Sequence, residues 1–280
     1  MAFDGLRVIS FESRRAAEMG ELIRRNGGRP FVAPSMREAP LESNEEAFAF
    51  AERFFRRDFD LIILLTGVGT RALANVIDAH YGTGKFAEAL GHVTIAARGP
   101  KPVAVLRDLA LQPTLVAPEP NTWREIVDIV RPRPERRIAV QEYGRPAKEL
   151  VEALRKFPAQ VTTVRVYQWD LPLDTAPLRE AAHRIARGEA DVALFTTSVQ
   201  ISHLLRIAAE GSLENEVKRG LECMMIASVG PTTTESLEEH GIKPDFEPTH
   251  PKMGFLVKET GDNAAAILAR KRGTADVLAG

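Results

Sequence analysis

The sequence predicts an α/β protein made of two similar lobes, each a flavodoxin-like, five-stranded parallel sheet covered by helices. Three observations predict it. Short apolar runs alternate with amphipathic stretches of helical period. The same segments recur at a fixed spacing of 131 residues. The composition, 44% apolar and 27% charged over 280 residues, is that of a chain able to bury a core, at a length that suits two domains.

The alternation reads in order from the N-terminus. An apolar run at 6–12 precedes an amphipathic helix at 15–26, which stops at Gly27-Gly28, a usual helix end. A short strand at 30–34 follows; helix 44–57 leads to strand 60–65 and helix 70–80. Strand 93–97 precedes helix 100–110, and strand 114–117 precedes helix 121–131. Parallel strands need long crossovers, and helices in those crossovers cover both sheet faces.

The repeat is read by ungapped alignment. Residues 60–77 match residues 191–208, with Asp60 on Asp191, Thr66 on Thr197, Val68 on Val199 and Leu73 on Leu204. Residues 92–120 match 223–251 at the same offset, pairing Ile95 with Ile226, Gly99 with Gly230, Pro100 with Pro231 and Pro120 with Pro251. Arg7-Val8-Ile9-Ser10 matches Arg137-Ile138-Ala139-Val140 at 130, and the helices after them match at 131. Two proline-bearing polar segments, 34–43 and 166–175, hold equivalent places after the second strand of each repeat. They read as crossings between lobes, with the active site expected between the lobes.

Charge and composition exclude several classes. The formal net charge of −1 carries no global signal for nucleic acid or a membrane surface. No apolar run approaches the roughly 18–20 residues of a membrane helix. The N-terminus lacks the basic and apolar regions of a signal peptide. A cytoplasmic monomer is the default expectation. Cys223, the single cysteine, permits no internal disulfide and reads as a core thiol opening a buried strand. The six histidines are scattered; they read as surface or helix-end residues, and no metal site is expected. Thr66 to Thr70 holds G-x-G but not G-x-G-x-x-G, and there is no G-x-S-x-G elbow, so dinucleotide and hydrolase fingerprints fail. Gly82-Thr83-Gly84-Lys85 follows a helix rather than a strand and reads as a helix stop.

Chemistry is expected beyond the carboxyl ends of the strands, where helix N-termini offer backbone N–H groups and a positive dipole end. Five turns there are rich in glycine and hydroxyl residues: Thr66-Gly67-Val68-Gly69-Thr70-Arg71, Arg98-Gly99-Pro100-Lys101, Tyr143-Gly144-Arg145-Pro146, Thr196-Thr197-Ser198 and Val229-Gly230-Pro231-Thr232-Thr233. Any one of them is an ordinary strand-to-helix connection; together they describe anion binding by backbone amides. Arg14, Arg15, Arg71, Arg98, Lys101 and Arg145 fall in or beside such turns and suit a polycarboxylate or phosphate, although solvated surface charge explains each singly. Tyr167, in the second crossing, is a polar group with reach, or else a tyrosine packed on a lobe.

In these turns the chain resembles the uroporphyrinogen-III synthase family over about residues 5–270. The carrying segments are Leu64 to Arg71, Ala96 to Lys101, Glu142 to Pro146, Val166-Tyr167, Leu194 to Val199 and Ala227 to Thr233. The Thr66-Gly67-Val68-Gly69 turn is similar to a bacterial branch of that family reading T-G-V-G, where other members carry T-S-x-N. The resemblance implies that the lobes exchange their initial β-α-β units: 1–37 with 174–272 in one lobe, 41–168 in the other, the stretches 38–40 and 169–173 as a two-stranded linker, and 273–280 as a tail. It implies a linear tetrapyrrole polycarboxylate, hydroxymethylbilane, as substrate, closed with inversion of its last ring to uroporphyrinogen III without a cofactor. It also implies that Tyr167 lies at the site and assists loss of the hydroxyl. Taken from these turns and the basic residues beside them, the expected substrate contacts are Arg14, Thr66, Gly67, Val68, Gly69, Arg71, Arg98, Gly99, Lys101, Tyr143, Gly144, Thr196, Thr197, Ser198, Gly230, Thr232 and Thr233. The alternative from another class is a two-lobed sensor that closes on a small anion without turnover.

Overall fold

The computed structural model describes residues 2–142, 144 and 146–278, the side chains of 272–278 excepted. The chain opens with β1 (Arg7–Ser10), α1 (Ala16–Arg25) and β2 (Arg29–Val32). A crossing strand, β3 (Arg37–Pro40), leads to α2 (Glu45–Phe55), β4 (Leu61–Leu64), α3 (Gly67–Tyr81), α4 (Lys85–Leu90) and β5 (Thr94–Ala97). Next come α5 (Pro100–Asp108), β6 (Leu115–Val116), α6 (Trp123–Val130), β7 (Arg137–Gln141), α7 (Lys148–Arg155) and β8 (Gln160–Val164). The second crossing strand, β9 (Tyr167–Asp170), is followed by α8 (Ala176–Ala186), β10 (Val192–Phe195), α9 (Val199–Glu210) and α10 (Glu214–Cys223). The chain closes with β11 (Met225–Ser228), α11 (Pro231–Glu239) and α12 (Met253–Leu278).

Two compact units result: unit 1 is Met1–Arg37 with Asp170–Gly280, and unit 2 is Glu38–Trp169. Unit 1 holds a parallel sheet of order β11-β10-β1-β2, and unit 2 one of order β6-β5-β4-β7-β8. The crossing strands β3 and β9 pair as a separate two-stranded sheet. In unit 1, β1 lies beside β10 with Ile9 opposite Ala193. In unit 2, β7 lies beside β4 with Ile63 opposite Val140. Each sheet thus takes its first β-α-β unit from the other half of the sequence repeat, in the strand order of a flavodoxin-like sheet.

An ion pair marks each of these joints. Asp191, just before β10, accepts from the Arg7 backbone N at 2.9 Å and from Arg7 Nε at 3.0 Å. Asp60, just before β4, accepts from the Arg137 backbone N at 3.0 Å and from Arg137 Nε at 3.1 Å. The Arg137 guanidinium holds the Asp60 carboxyl below its ordinary range. The two aspartates coincide in the repeat, and so do the two arginines.

The central strands β4 (LIIL) and β10 (VALF) are buried at every position, as strands covered on both faces must be. Their side chains alternate between two cores. Ile62 and Leu64 pack with α2, α3 and α4, whereas Leu61 and Ile63 pack with α6 and α7. Likewise Ala193 and Phe195 join α8, α9 and α10, whereas Val192 and Leu194 face α1 and α12. Phe11 stacks on Phe195 at 4.8 Å. Each such large apolar side chain contributes about 1.5–3 kcal/mol by burial.

The structure departs from the sequence reading at several points. Among the described residues, the sheet of unit 1 has four strands, not five. Its fifth position is a single bridge between Ala227 and Phe246, because Pro244 and Pro248 bracket that segment and cannot donate to a ladder. The short helix α4 has no counterpart in the sequence reading, and Gly82 and Gly84 serve as its boundary with α3 at φ 108° and 83°. Cys223 ends α10 and is exposed; Met224 and Met225 take the core positions instead. His203 is buried within α9 rather than at the surface. Helix α12 continues to Leu278, through residues expected to form a tail.

Candidate functional site

The carboxyl edge of each sheet is built from its turns upward. In unit 2, Thr66 follows β4 in extended backbone and caps α3: its Oγ1 accepts from Gly69 N at 3.0 Å. Such a cap is worth about 1 kcal/mol. Thr70 Oγ1 donates back to the Thr66 carbonyl at 2.8 Å. The helix therefore begins at Gly67, three residues earlier than periodicity alone indicates. The N–H groups of Gly67 and Val68 belong to the first turn, which has no intrahelical acceptor.

The neighbouring turn is brought against this one. A side chain at Gly67 would come 2.8 Å from the Lys101 carbonyl oxygen, and one at Gly99 would come 2.3 Å from Asn121 Oδ1. The heads of α3, α5 and α6 therefore meet at one edge. Pro100 opens α5, and a capping box of Thr122 and Glu125 opens α6. Arg98 is half-buried and Lys101 exposed at the head of α5. Arg71 pairs instead with Asp108, the last residue of α5, which draws its guanidinium along the helix; both partners are exposed, and such pairs are weak. Gly144, at φ 64°, packs against the Trp169 ring. Tyr143 and Arg145 lie outside the described residues.

Tyr167 is the first residue of β9 and is buried, with its hydroxyl 3.2 Å from Thr66 Oγ1. Of the two readings of this side chain, packing and presentation at a turn, the geometry contains both: the ring joins the core of unit 2 while the hydroxyl reaches the cap of α3.

In unit 1 the corresponding turn is Thr196-Thr197-Ser198. Thr196 Oγ1 donates to Glu12 Oε2 at 2.5 Å, and Glu12 Oε1 accepts from Arg15 N at 3.1 Å, which ties the turn after β1 to the turn after β10. Arg14 lies in the former turn and is exposed. Gly230 and Pro231 open α11, with Thr232 half-buried and Thr233 buried in its first turn. Ser236 Oγ donates to the Ser198 carbonyl at 2.7 Å, joining α11 to the turn before α9.

Sequence reasoning misses four polar residues at these edges as site residues: Gln141, Gln200, Glu12 and Glu142. Gln141 and Gln200 are buried amides beneath the two threonine turns. Glu142 ends the β7 segment, is 7% exposed and accepts from Ala147 N at 2.9 Å. Burial pushes its carboxyl above the ordinary value. The one sequence signal for Gln141, Glu142 and Glu12 is polar residues directly following apolar strand runs, Val140-Gln141-Glu142 and Phe11-Glu12; Gln200, inside α9, carries no such signal.

Comparison with known proteins follows the same lines. The family model for uroporphyrinogen-III synthase HemD matches residues 17–258. Among curated proteins, the "Uncharacterized protein YjjA" of Bacillus subtilis (strain 168) is 27% identical over 258 residues, covering 91% of this chain and 94% of that protein. A "Putative uroporphyrinogen-III synthase" of Methanothermobacter thermautotrophicus is 29% identical over 239 residues, covering 84% and 89%. Among solved structures, a mutant uroporphyrinogen III synthase of Thermus thermophilus superposes with a TM-score of 0.71 at 23% identity, covering 95% of this chain and 100% of that one. The wild-type enzyme of the same bacterium, in another crystal form, gives 0.54 at 24% identity, covering 95% and 99%. These two likenesses are of fold.

Proposed function

The chain belongs to the uroporphyrinogen-III synthase family, and from that premise we propose that it cyclises hydroxymethylbilane with inversion of the terminal pyrrole ring, giving uroporphyrinogen III. The observation that carries this reading is the family match across residues 17–258, which spans both units and every glycine- or threonine-bearing turn described above.

The chemistry asks for steering more than for a strong catalyst. Loss of the terminal hydroxyl leaves a conjugated cation. Attack through the substituted position of the last ring forms a spiro intermediate, which fragments and recloses inverted. Unguided closure gives isomer I. Holding the chain so that the substituted position attacks is a matter of orientation and water exclusion. Backbone amides at the heads of α3, α5, α9 and α11 suit the substrate carboxylates without bringing a nucleophile near the cation. Arg98 and Lys101 in unit 2, with Arg14 in unit 1, add charge-assisted contacts. Tyr167 is assigned to assist departure of the hydroxyl, its own hydroxyl lying 3.2 Å from Thr66 Oγ1. A cytoplasmic monomer acting on this one small molecule, with no nucleic acid or membrane partner, completes the reading. Among the described residues no helix is long and apolar enough to cross a membrane.

The test is direct. Freshly prepared hydroxymethylbilane is supplied to the purified protein and the uroporphyrinogen isomers are resolved by chromatography. Isomer III is expected; isomer I alone, at the uncatalysed rate, overturns the reading.

A further inference from the structure

Each unit buries one side-chain amide beneath its threonine turn, but from a different position of the repeat. In unit 2 the amide is Gln141, at the end of β7. Its Oε1 accepts from Thr66 N at 3.4 Å, and its Nε2 donates to the Glu142 carbonyl. It fills the space over Gly69, where a Cβ would come 1.9 Å from Nε2. In unit 1 the position equivalent to Gln141 is Phe11, and the position equivalent to Gly69 is Gln200. Gln200 Oε1 accepts from Thr197 N at 3.3 Å, the N–H equivalent to that of Thr66, and from Thr196 N at 2.7 Å. Its Nε2 donates to the Phe11 carbonyl at 3.0 Å and to Thr196 Oγ1 at 2.9 Å.

Both glutamines are essentially inaccessible, at 0% and 1% exposure. A buried amide is costly unless its groups are bonded, and an apolar side chain fills such space without that cost. Phe11 holds that position in unit 1, its ring stacked on Phe195, yet an amide is present there too, supplied from the first turn of α9. Filling space is therefore not what the two units have in common. What they have in common is a carbonyl oxygen taking up the first N–H of the turn.

We propose that Gln141 and Gln200 are positioning residues for the substrate. Each fixes the backbone of its threonine turn so that the amides that follow, at Gly67 and Val68 in unit 2 and at Ser198 and Val199 in unit 1, are set for a substrate carboxylate. The inference rests on the reading of these turns as substrate-binding. It makes the pair of positions, rather than either residue, the functional unit. Unit 1 then supplies the design of its own test: phenylalanine on the strand with glutamine on the helix.

The experiment compares wild type, Gln141→Phe, Gly69→Gln and the double variant Gln141→Phe/Gly69→Gln. Readouts are kcat and KM for isomer III formation and hydrogen exchange across residues 66–70. Gln141→Phe is expected to raise KM at least ten-fold with a smaller change in kcat, and to speed exchange in the turn. Gly69→Gln alone is expected to be impaired by collision with Gln141. The double variant is expected to recover at least ten-fold in kcat/KM over the worse single variant and to restore slow exchange. A double variant no better than the worse single one overturns the proposal, as does either an unchanged KM or an unchanged exchange rate in Gln141→Phe. If a single variant does not fold, recovery of fold and KM in the double still decides for the proposal, and its absence decides against. Wild-type protein that yields isomer I alone removes the underlying reading instead, an outcome visible before any variant is made.

Discussion

The Tyr167 hydroxyl lies 3.2 Å from Oγ1 of Thr66, the same oxygen that accepts the Gly69 N–H at the head of α3. One threonine therefore links a core tyrosine of β9 to the first turn of a helix whose amides are assigned to the substrate. The ring is anchored by the core of unit 2, so the hydroxyl is held in place by packing rather than by the turn itself.

Replacing that hydroxyl separates its two roles. As a single hydrogen bond it contributes about 1 kcal/mol to stability. As an acid assisting loss of the substrate hydroxyl it contributes about 100-fold or more to rate. Tyr167→Phe is expected to lower kcat by at least about ten-fold while the thermal midpoint moves by only a few degrees. Full rate and full isomer III yield in this variant would remove Tyr167 from the chemistry.

Arg98 and Lys101 flank the head of α5. A hydrogen bond to a charged group is worth about 1.5–3 kcal/mol, so Arg98→Ala and Lys101→Ala should each reduce kcat/KM by roughly ten- to a hundred-fold, through KM. Steady-state kinetics beside urea denaturation checks this: the kinetic loss is expected to exceed the stability loss. Kinetics equal to wild type for either variant takes that residue out of the site.

Two buried ionisable groups give opposite pH dependences. Burial raises the Glu142 carboxyl, so its neutral form is favoured in the folded state. Its contribution is fully present below the unfolded value of about 4.3 and is lost as pH rises through the folded value. Glu142→Gln keeps an acceptor for Ala147 N without the charge. Its urea midpoint is expected to match wild type near pH ~4, below the unfolded value of about 4.3, and to exceed wild type by a growing margin as pH rises; a midpoint that stays below wild type throughout would refute the assignment. Burial lowers the His203 imidazole, whose Nδ1–H donates to the Ser35 carbonyl at 2.7 Å. Its contribution is present above the unfolded value of about 6.5 and is lost as pH falls through the folded value. An NMR titration should place its midpoint below about 6.5; a midpoint above that would contradict the burial argument.

Gly220 tests the packing of unit 1. A Cβ there would come 2.2 Å from the Ile185 carbonyl oxygen, on the facing helix α8. Alanine gains about 1 kcal/mol of helix propensity over glycine, but overpacking against backbone that cannot rotate away costs about 1–3 kcal/mol. Gly220→Ala should therefore be destabilised in urea unfolding, and a more stable variant would mean that α8 and α10 are less closely packed.

Much of the fold can be read from the chain because its cores follow simple periods. The buried runs Leu61 to Leu65 and Val192 to Phe195 announce central strands. The 131-residue offset aligns Asp60 with Asp191, and each grips an arginine of the exchanged strand. An offset reveals which segments are alike but not which ones pair, so the exchange enters only through family resemblance. The missed features are those in which chemistry departs from the pattern. Phe246 sits in a strand-like place, but flanking prolines leave it one bridge. Cys223 heads an apolar run whose buried positions start one residue later. His203 lies on a helix buried on more than one side. Gln141 and Gln200 are hidden because they break the repeat: each faces a different residue type at its equivalent position.

The central claim is that this chain steers hydroxymethylbilane toward the inverted ring. The most direct measurement is the ratio of isomer III to isomer I as protein is titrated against a fixed amount of fresh substrate. The account predicts a ratio that climbs with protein concentration until isomer III is nearly the sole product. A ratio that stays at the spontaneous, isomer I-dominated value at every concentration would contradict it.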